Sequence, residues 1–190
     1  MMTVLLDAGG SMSAPTVVCL GFFDGVHLGH ASLIKRAREI AQHEDLSVCV
    51  HTFDAMPARV LSPGADILEL TPRDKKAALL EGLGVDILAV SHFDAGTSQM
   101  RAQDIFDHTL LLQLCARHVV AGFHHRFGCR GEADVERLRA FCERAGIGLD
   151  IIAPVTLDTG ELISSTAIRT ALRAGDAKLA SRMLGWRWNE

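Results

Sequence analysis

Five short runs of the chain are apolar almost from end to end: Thr16–Leu20, Leu46–Phe53, Asp86–Val90, His118–Ala121 and Leu149–Ala153. Between them lie stretches of helical periodicity, starting near Ser32, Thr71, Ala102 and Asp134, with two shorter ones over Ala167–Arg173 and Ala177–Leu184. Strands apolar on both faces, alternating with helices, predict an α/β fold: a parallel sheet covered by helices on both sides. A chain of 190 residues fits one domain. Its first fifteen residues read as an N-terminal extension or an edge segment. Thr71 is the expected N-cap of its helix, with Pro72 in the first turn and Gly84 at the end. The third long helix is expected over Ala102–Cys115. Pro57 should end the second strand's turn, and a polar link then runs to about Leu70, long enough to serve as a binding loop.

The totals exclude several classes. A net charge of -4 leaves no basic excess for a general nucleic-acid binder. The first fifteen residues have no basic flank and no long apolar core, so they are no signal peptide, and no apolar run approaches a membrane span. Cysteines are five, an odd number, without a Cys-x-x-Cys pair. That argues against a disulfide framework or a zinc knuckle. Four of the five fall in expected strands or helices, and the compartment reads as reducing and cytoplasmic.

Immediately after the first run comes Gly21-Phe22-Phe23-Asp24-Gly25-Val26-His27-Leu28-Gly29-His30, and then a helical pattern. Strand, glycine turn and helix start in that order let the backbone approach a ligand closely and aim unpaired amides at an anion. His27 and His30 lie three apart, so both rings can project from one face of the first turn. Two imidazoles and free amides form a donor cluster for a phosphate gaining charge.

Near the other end, Ser164-Ser165-Thr166 leads into a helix that carries Arg169. Hydroxyl residues there also serve as ordinary caps. Arg169, four residues after Ser165, comes back over the same face, and the set can clamp a polyphosphate. No Walker loop, dinucleotide fingerprint or Gly-x-Ser-x-Gly elbow occurs. His124 and His125 are adjacent in a loop, a pattern of exposed or substrate-facing histidines more than of a metal site, and no metal is assigned.

Three segments together resemble a known family: Gly21 to His30, Ala121-Gly122-Phe123-His124-His125-Arg126-Phe127-Gly128, and Ile163-Ser164-Ser165-Thr166-Ala167-Ile168-Arg169. They are similar to bacterial FAD synthetase, in its N-terminal FMN adenylyltransferase module of the HxGH nucleotidyltransferase superfamily. The resemblance runs from about Val17 to Gly185. It implies a Rossmann-like sheet and the transfer of the AMP part of ATP to FMN, with Mg²⁺ accompanying ATP. His27, His30, Ser165 and Arg169 would be catalytic. Gly21, Phe22, Phe23, Asp24, Gly25, Gly29, Ser164 and Thr166 would surround the nucleotide and its phosphates. Phe53, Asp54, Met56, Pro57, Gly122, His124, His125 and Phe127 would face the flavin or ribose.

The family's chain usually continues into a riboflavin kinase barrel, which would begin in the tail at residues 186–190. The expectation is therefore no kinase activity, with FMN supplied by a separate riboflavin kinase; the sequence carries no signal for oligomeric state. Two places depart from the pattern. Met56 stands where the family's Phe-x-Pro-His-Pro loop has histidine. His124 stands where it has Asp or Asn, and His125 where it has an aromatic. Two alternatives stay open: a nucleotidyltransferase for another phosphorylated acceptor, and a non-catalytic flavin- or nucleotide-binding relative.

Overall fold

The computed structural model describes residues Met1–Trp188; Asn189 and Glu190, the end of the expected tail, lie outside the described residues. Six strands form one parallel sheet: β1 (Met2–Leu5), β2 (Thr16–Leu20), β3 (Ser47–Phe53), β4 (Ile87–Ser91), β5 (Ala116–Gly122) and β6 (Gly148–Ile152), in the order β1-β4-β3-β2-β5-β6. All five expected strands are present, within about two residues at each end. The sixth, β1, is the edge segment: Met2 pairs with Ile87 and Leu5 with Val90.

Every residue of β2 is buried. Alternation divides its side chains between two cores. Val17 and Cys19 pack with Leu33, Ile34, Ala37 and Ile40 of α1 (Leu28–Glu44). Val18 and Leu20 pack on the opposite face with Phe106, Leu110, Leu138 and Phe141. Each such aliphatic side chain, fully buried, contributes roughly 1.5–3 kcal/mol. The strand order turns around between β2 and β5, because the chain builds outward from β2 to β4 and then restarts on the other side. Ligands of such sheets sit in the crevice outside the carboxyl ends at that switch. Here the loops at those ends are Gly21–Val26 and Phe123–Gly131.

Some expectations are corrected. Pro57 does not merely stop a strand: it is the first residue of a short helix, α2 (Pro57–Leu61), where its missing N–H costs nothing. The next helix, α3, spans Arg73–Gly82 with Pro72 at the N-cap and no side-chain cap. Thr71 is not the cap because its hydroxyl accepts from the Gly25 amide, 3.0 Å away. The third long helix opens as α4 (Ala102–Asp104) and continues as a π-helical stretch, Ile105–Gln113, closing before Cys115. Cys115 has φ +49° as the chain reverses into β5, and its thiol contacts the Met12 carbonyl at 3.1 Å. It is a turn residue, not a helical one.

The remaining helices are α5 (Val135–Ala145), α6 (Ser165–Arg173) and α7 (Ala177–Leu184). The last two make a third small core with Leu70 and Ile163, Ile168 and Leu184 at its centre. That core seats α6 against the Gly21–Val26 turn. Among the described residues, no helix is long and apolar enough to cross a membrane.

Candidate active site

The turn after β2 is strained. Phe23 has φ +57°, Gly25 +91° and Val26 +38°, and such values are rare for a β-branched residue. It persists because its carbonyls are tied down one after another. Thr52 Oγ1 and Lys76 Nζ both donate to Phe22 O at 2.9 Å. Val26 N donates to Phe23 O at 3.4 Å. Ser165 Oγ donates to Asp24 O at 2.7 Å and Trp186 Nε1 to Gly25 O at 3.0 Å. With the carbonyls turned into the protein, no acceptor among the described residues takes the amides of Phe22, Phe23 or Asp24. An arc of free amides is an anion cradle.

His27 is the N-cap of α1, and its Nδ1 accepts from the His30 amide at 3.2 Å. A neutral His27 then carries its proton on Nε2. The His30 ring stacks on it, with centroids 3.7 Å apart and planes 13° off parallel. Gly29 leaves room for this: a Cβ there would lie 3.1 Å from the His27 ring. Burial holds His27 at about 4, and it pushes His30 well below 6.5, helped by His27 and by the Lys76 ammonium. Both rings are neutral at physiological pH. Nδ1 of His30 is buried without a partner, so Nε2 is the atom His30 offers to the cleft.

That cleft, about 520 Å³, is lined by His30, Phe22, Met56, Ser165, Thr166 and Arg169 among others. The two expected phosphate groups, from opposite ends of the chain, do meet in one cleft. His27 is not on its wall; it lies stacked beneath the His30 ring and accepts from the His30 amide. Ser164 is a cap, accepting from Ala167 N at 3.1 Å. Asp24, expected beside the nucleotide, is 3% exposed and its carboxylate is occupied. It accepts from Leu70 N and Thr71 N, each at 3.0 Å, and pairs with the Arg169 guanidinium. Arg169 Nε donates to Leu68 O at 2.7 Å, which leaves Nη1 for a ligand.

A second, mostly apolar cavity of about 460 Å³ adjoins the cleft. Phe22, Phe53, Phe93 and Phe127 line it, with His51 and His125, and Phe22 and Pro57 line both spaces. His51 Nε2 meets Ser91 Oγ at 2.9 Å. Burial holds His51 at about 4, aided by the nearby His125, and burial alone does the same to His125.

Seven expected residues line neither space: His27, Gly29 and Ser164, and also Asp54, His124, Gly122 and Gly25. Asp54 turns away to His92 Nδ1 at 2.6 Å and to the Phe93 amide at 3.0 Å. His124 is exposed with its ring against Phe123 at 3.6 Å. Gly122 ends β5, and Gly25 sits behind the turn against Leu70 and Leu184. Sequence reasoning missed His51, Lys76, Thr71 and Phe93. His51 had a signal, a polar residue inside an apolar strand run; Lys76, buried over the Phe22 ring at 3.8 Å, had none.

A family model described as FAD synthetase matches residues 11–167. The chain belongs to the FAD synthetase family. It is 39% identical over 171 residues to the bifunctional riboflavin kinase/FMN adenylyltransferase of Listeria monocytogenes, covering 90% of this chain and 54% of that protein. With the protein of the same name from Bacillus subtilis the identity is 34% over 173 residues, at 90% and 54% coverage. The chain thus spans about half the length of the curated relatives it matches. Among solved structures, a Streptococcus pneumoniae protein described as a macrolide-efflux protein superposes with TM-score 0.88 and 29% identity, covering 98% of this chain and 60% of that one. A pantoate–β-alanine ligase from Francisella tularensis shares the fold, with TM-score 0.59 and 13% identity over all of this chain and 80% of its own. The family and the Rossmann-like fold read from the three motifs are the ones found.

Proposed function

We propose that this chain is an FMN adenylyltransferase, joining the AMP part of ATP to FMN to give FAD and pyrophosphate. The observation that carries the reading is the pair of confluent spaces. One is polar and bounded by His30, Ser165, Thr166 and Arg169; the other is apolar with four phenylalanines; Phe22 and Pro57 line both. A molecule with a planar ring system at one end and a phosphate at the other fits across that boundary. The names of the relatives point the same way.

An oxygen of the FMN phosphate forms a bond to the α-phosphorus of ATP, and the bond from that phosphorus to the bridging oxygen of pyrophosphate breaks. The attacking phosphate is already ionised near neutral pH, so no base is needed, and positioning and charge stabilisation carry the reaction. Free amides at Phe22, Phe23 and Asp24 and the Nε2–H of His30 take the triphosphate oxygens as charge grows. The first amides of α6, at Ser165 and Thr166, the Thr166 hydroxyl and Nη1 of Arg169 hold its far end, while the Ser165 hydroxyl stays on the Asp24 carbonyl. His27 caps the helix and fixes the His30 ring. The described residues contain no group of three or more His, Cys, Asp or Glu placed to hold a metal ion. Mg²⁺ would come with ATP and would offset charge on the leaving pyrophosphate.

The test is incubation of the protein with FMN, ATP and Mg²⁺, followed by chromatography. FAD and pyrophosphate in equal amounts are expected. Flavin binding without either product would reject adenylyl transfer, and product from CTP but not ATP would reject the nucleotide.

A further inference from the structure

The side chains that tie the carbonyls of the glycine turn come from β3, α3 and α6, with one exception. Gly25 O is held by Trp186, which lies just beyond the last helix. The Gly25 peptide is gripped on both sides: its N–H donates to Thr71 Oγ1 at 3.0 Å and its C=O accepts from Trp186 Nε1 at 3.0 Å. Trp186 is itself fixed from two directions. Lys75 Nζ stands 4.1 Å over its ring, and the Trp188 ring stacks 6.1 Å away. Adjacent lysines of α3 thus hold the two ends of the turn, Lys75 through Trp186 and Lys76 directly at Phe22 O.

The route by which Trp186 reaches the turn is also built. Gly185 has φ +77°, which reverses the chain after α7, and a Cβ there would lie 2.5 Å from Leu28, the first residue of α1. Trp188 N then donates to Ser181 Oγ at 3.0 Å, pinning the segment back onto α7. The segment after α7 is therefore pressed against the start of α1, where His27 and His30 sit.

We infer that Trp186 is a positioning residue for phosphate binding: its indole N–H holds the Gly25 carbonyl turned inward, and so helps keep the amides of Phe22, Phe23 and Asp24 facing the nucleotide. Three residues with positive φ within four positions do not hold that shape alone. Removing the last tie lets the Gly25 peptide rotate, and the arc loses its aim without any side chain of the cleft being altered. The segment after α7 consequently senses whether a triphosphate occupies the turn. The kinetic part of this inference rests on the adenylyltransferase reading; the spectroscopic part rests only on nucleotide binding.

The chain has two tryptophans, so W188F leaves Trp186 as the sole indole. Adding ATP to that variant is expected to shift or quench its emission, saturating with the ATP affinity measured by equilibrium dialysis. In W186F an aromatic ring is left to face Lys75, and the pyrrole ring with its N–H is lost. Its kcat should fall about three- to tenfold, the size of one neutral hydrogen bond, with the KM for FMN unchanged and the urea midpoint lowered only slightly. Emission that does not move while ATP is bound, or a W186F kcat equal to that of the unaltered protein, overturns the inference. If the unaltered protein forms no FAD, the adenylyltransferase reading fails, and the fluorescence result alone decides the role of Trp186: a shift upholds it, no shift ends it.

Discussion

Arg169 of α6 donates through Nη2 to the carboxylate of Asp24, a residue 145 positions earlier in the chain. Asp24 is 3% exposed and also holds the Leu70 and Thr71 amides. One buried carboxylate therefore joins the glycine turn, the 66–71 segment and the arginine that faces the cleft. Breaking a buried pair from one side leaves an uncompensated charge, at a cost of about 3–5 kcal/mol. Asp24→Asn is expected to lose stability on that scale in urea unfolding. Arg169→Lys keeps the charge but loses the fork geometry. It should unfold nearly as the parent does while turning over at least tenfold more slowly. Equal loss of stability in both variants would assign Arg169 to structure alone.

His30 and His27 should separate in the same manner. His30 lines the cleft, and loss of one such donor typically costs about 2.7–4 kcal/mol of transition-state stabilisation. His30→Ala should reduce kcat by two to three orders of magnitude with a near-normal urea midpoint. His27→Ala removes a helix cap, worth about 0.5–2 kcal/mol, and so lowers the midpoint as well. His27→Asn restores an acceptor for the His30 amide. It should recover the stability but only part of the turnover, because the stacked ring is gone.

Gly25 has φ +91°, and a Cβ there would stand 3.0 Å from Leu70 and 3.2 Å from Leu184. Gly25→Ala should cost about 1–3 kcal/mol of stability through strain and also most of the activity. Gly146, the C-cap of α5, has φ +65° with nothing near its missing Cβ. Gly146→Ala should lose stability and keep full turnover. The pair of variants isolates the effect of the turn from that of a left-handed residue as such.

The parts of this site that could be read beforehand are those that local chemistry determines. A buried strand, a glycine turn and a helix start follow each other in Thr16 to Glu44, and the hydroxyl cap of α6 sits next to its helix in sequence. The parts that could not be read are long-range. Asp24 looks like one more polar residue of a phosphate turn until Leu70, Thr71 and Arg169 are folded onto it. Thr71 has the sequence context of an N-cap, yet its hydroxyl is spent on Gly25. Lys76 looks like a solvent-facing helix residue and is buried against Phe22. His124 and His125 are identical neighbours in sequence, and only the second turns into the cavity. β1 was ambiguous because Met2 and Leu5 remain about half exposed at the sheet edge.

Acid should unfold this protein through its buried imidazoles before its carboxylates titrate. His27, His51 and His125 are each held at about 4 by burial, against an ordinary value of 6.5. Between those values the unfolded chain binds more protons than the folded one, so stability rises with pH across that window. The contribution is complete above 6.5, declines as pH falls to about 4, and changes no further below it, where both states are protonated. Each imidazole contributes about 1.4 kcal/mol per pH unit inside the window. His92 has the opposite sign: its bond to Asp54 raises its value, so what it adds is lost as pH rises, and its exposure keeps that small. Urea midpoints at constant ionic strength should therefore be flat from pH 8 to 7 and fall steeply between 6 and 4.5. His125→Phe, which fills the same space without a titrating ring, should make that fall shallower by about one proton. A midpoint independent of pH down to 4.5 would mean that these rings are not buried.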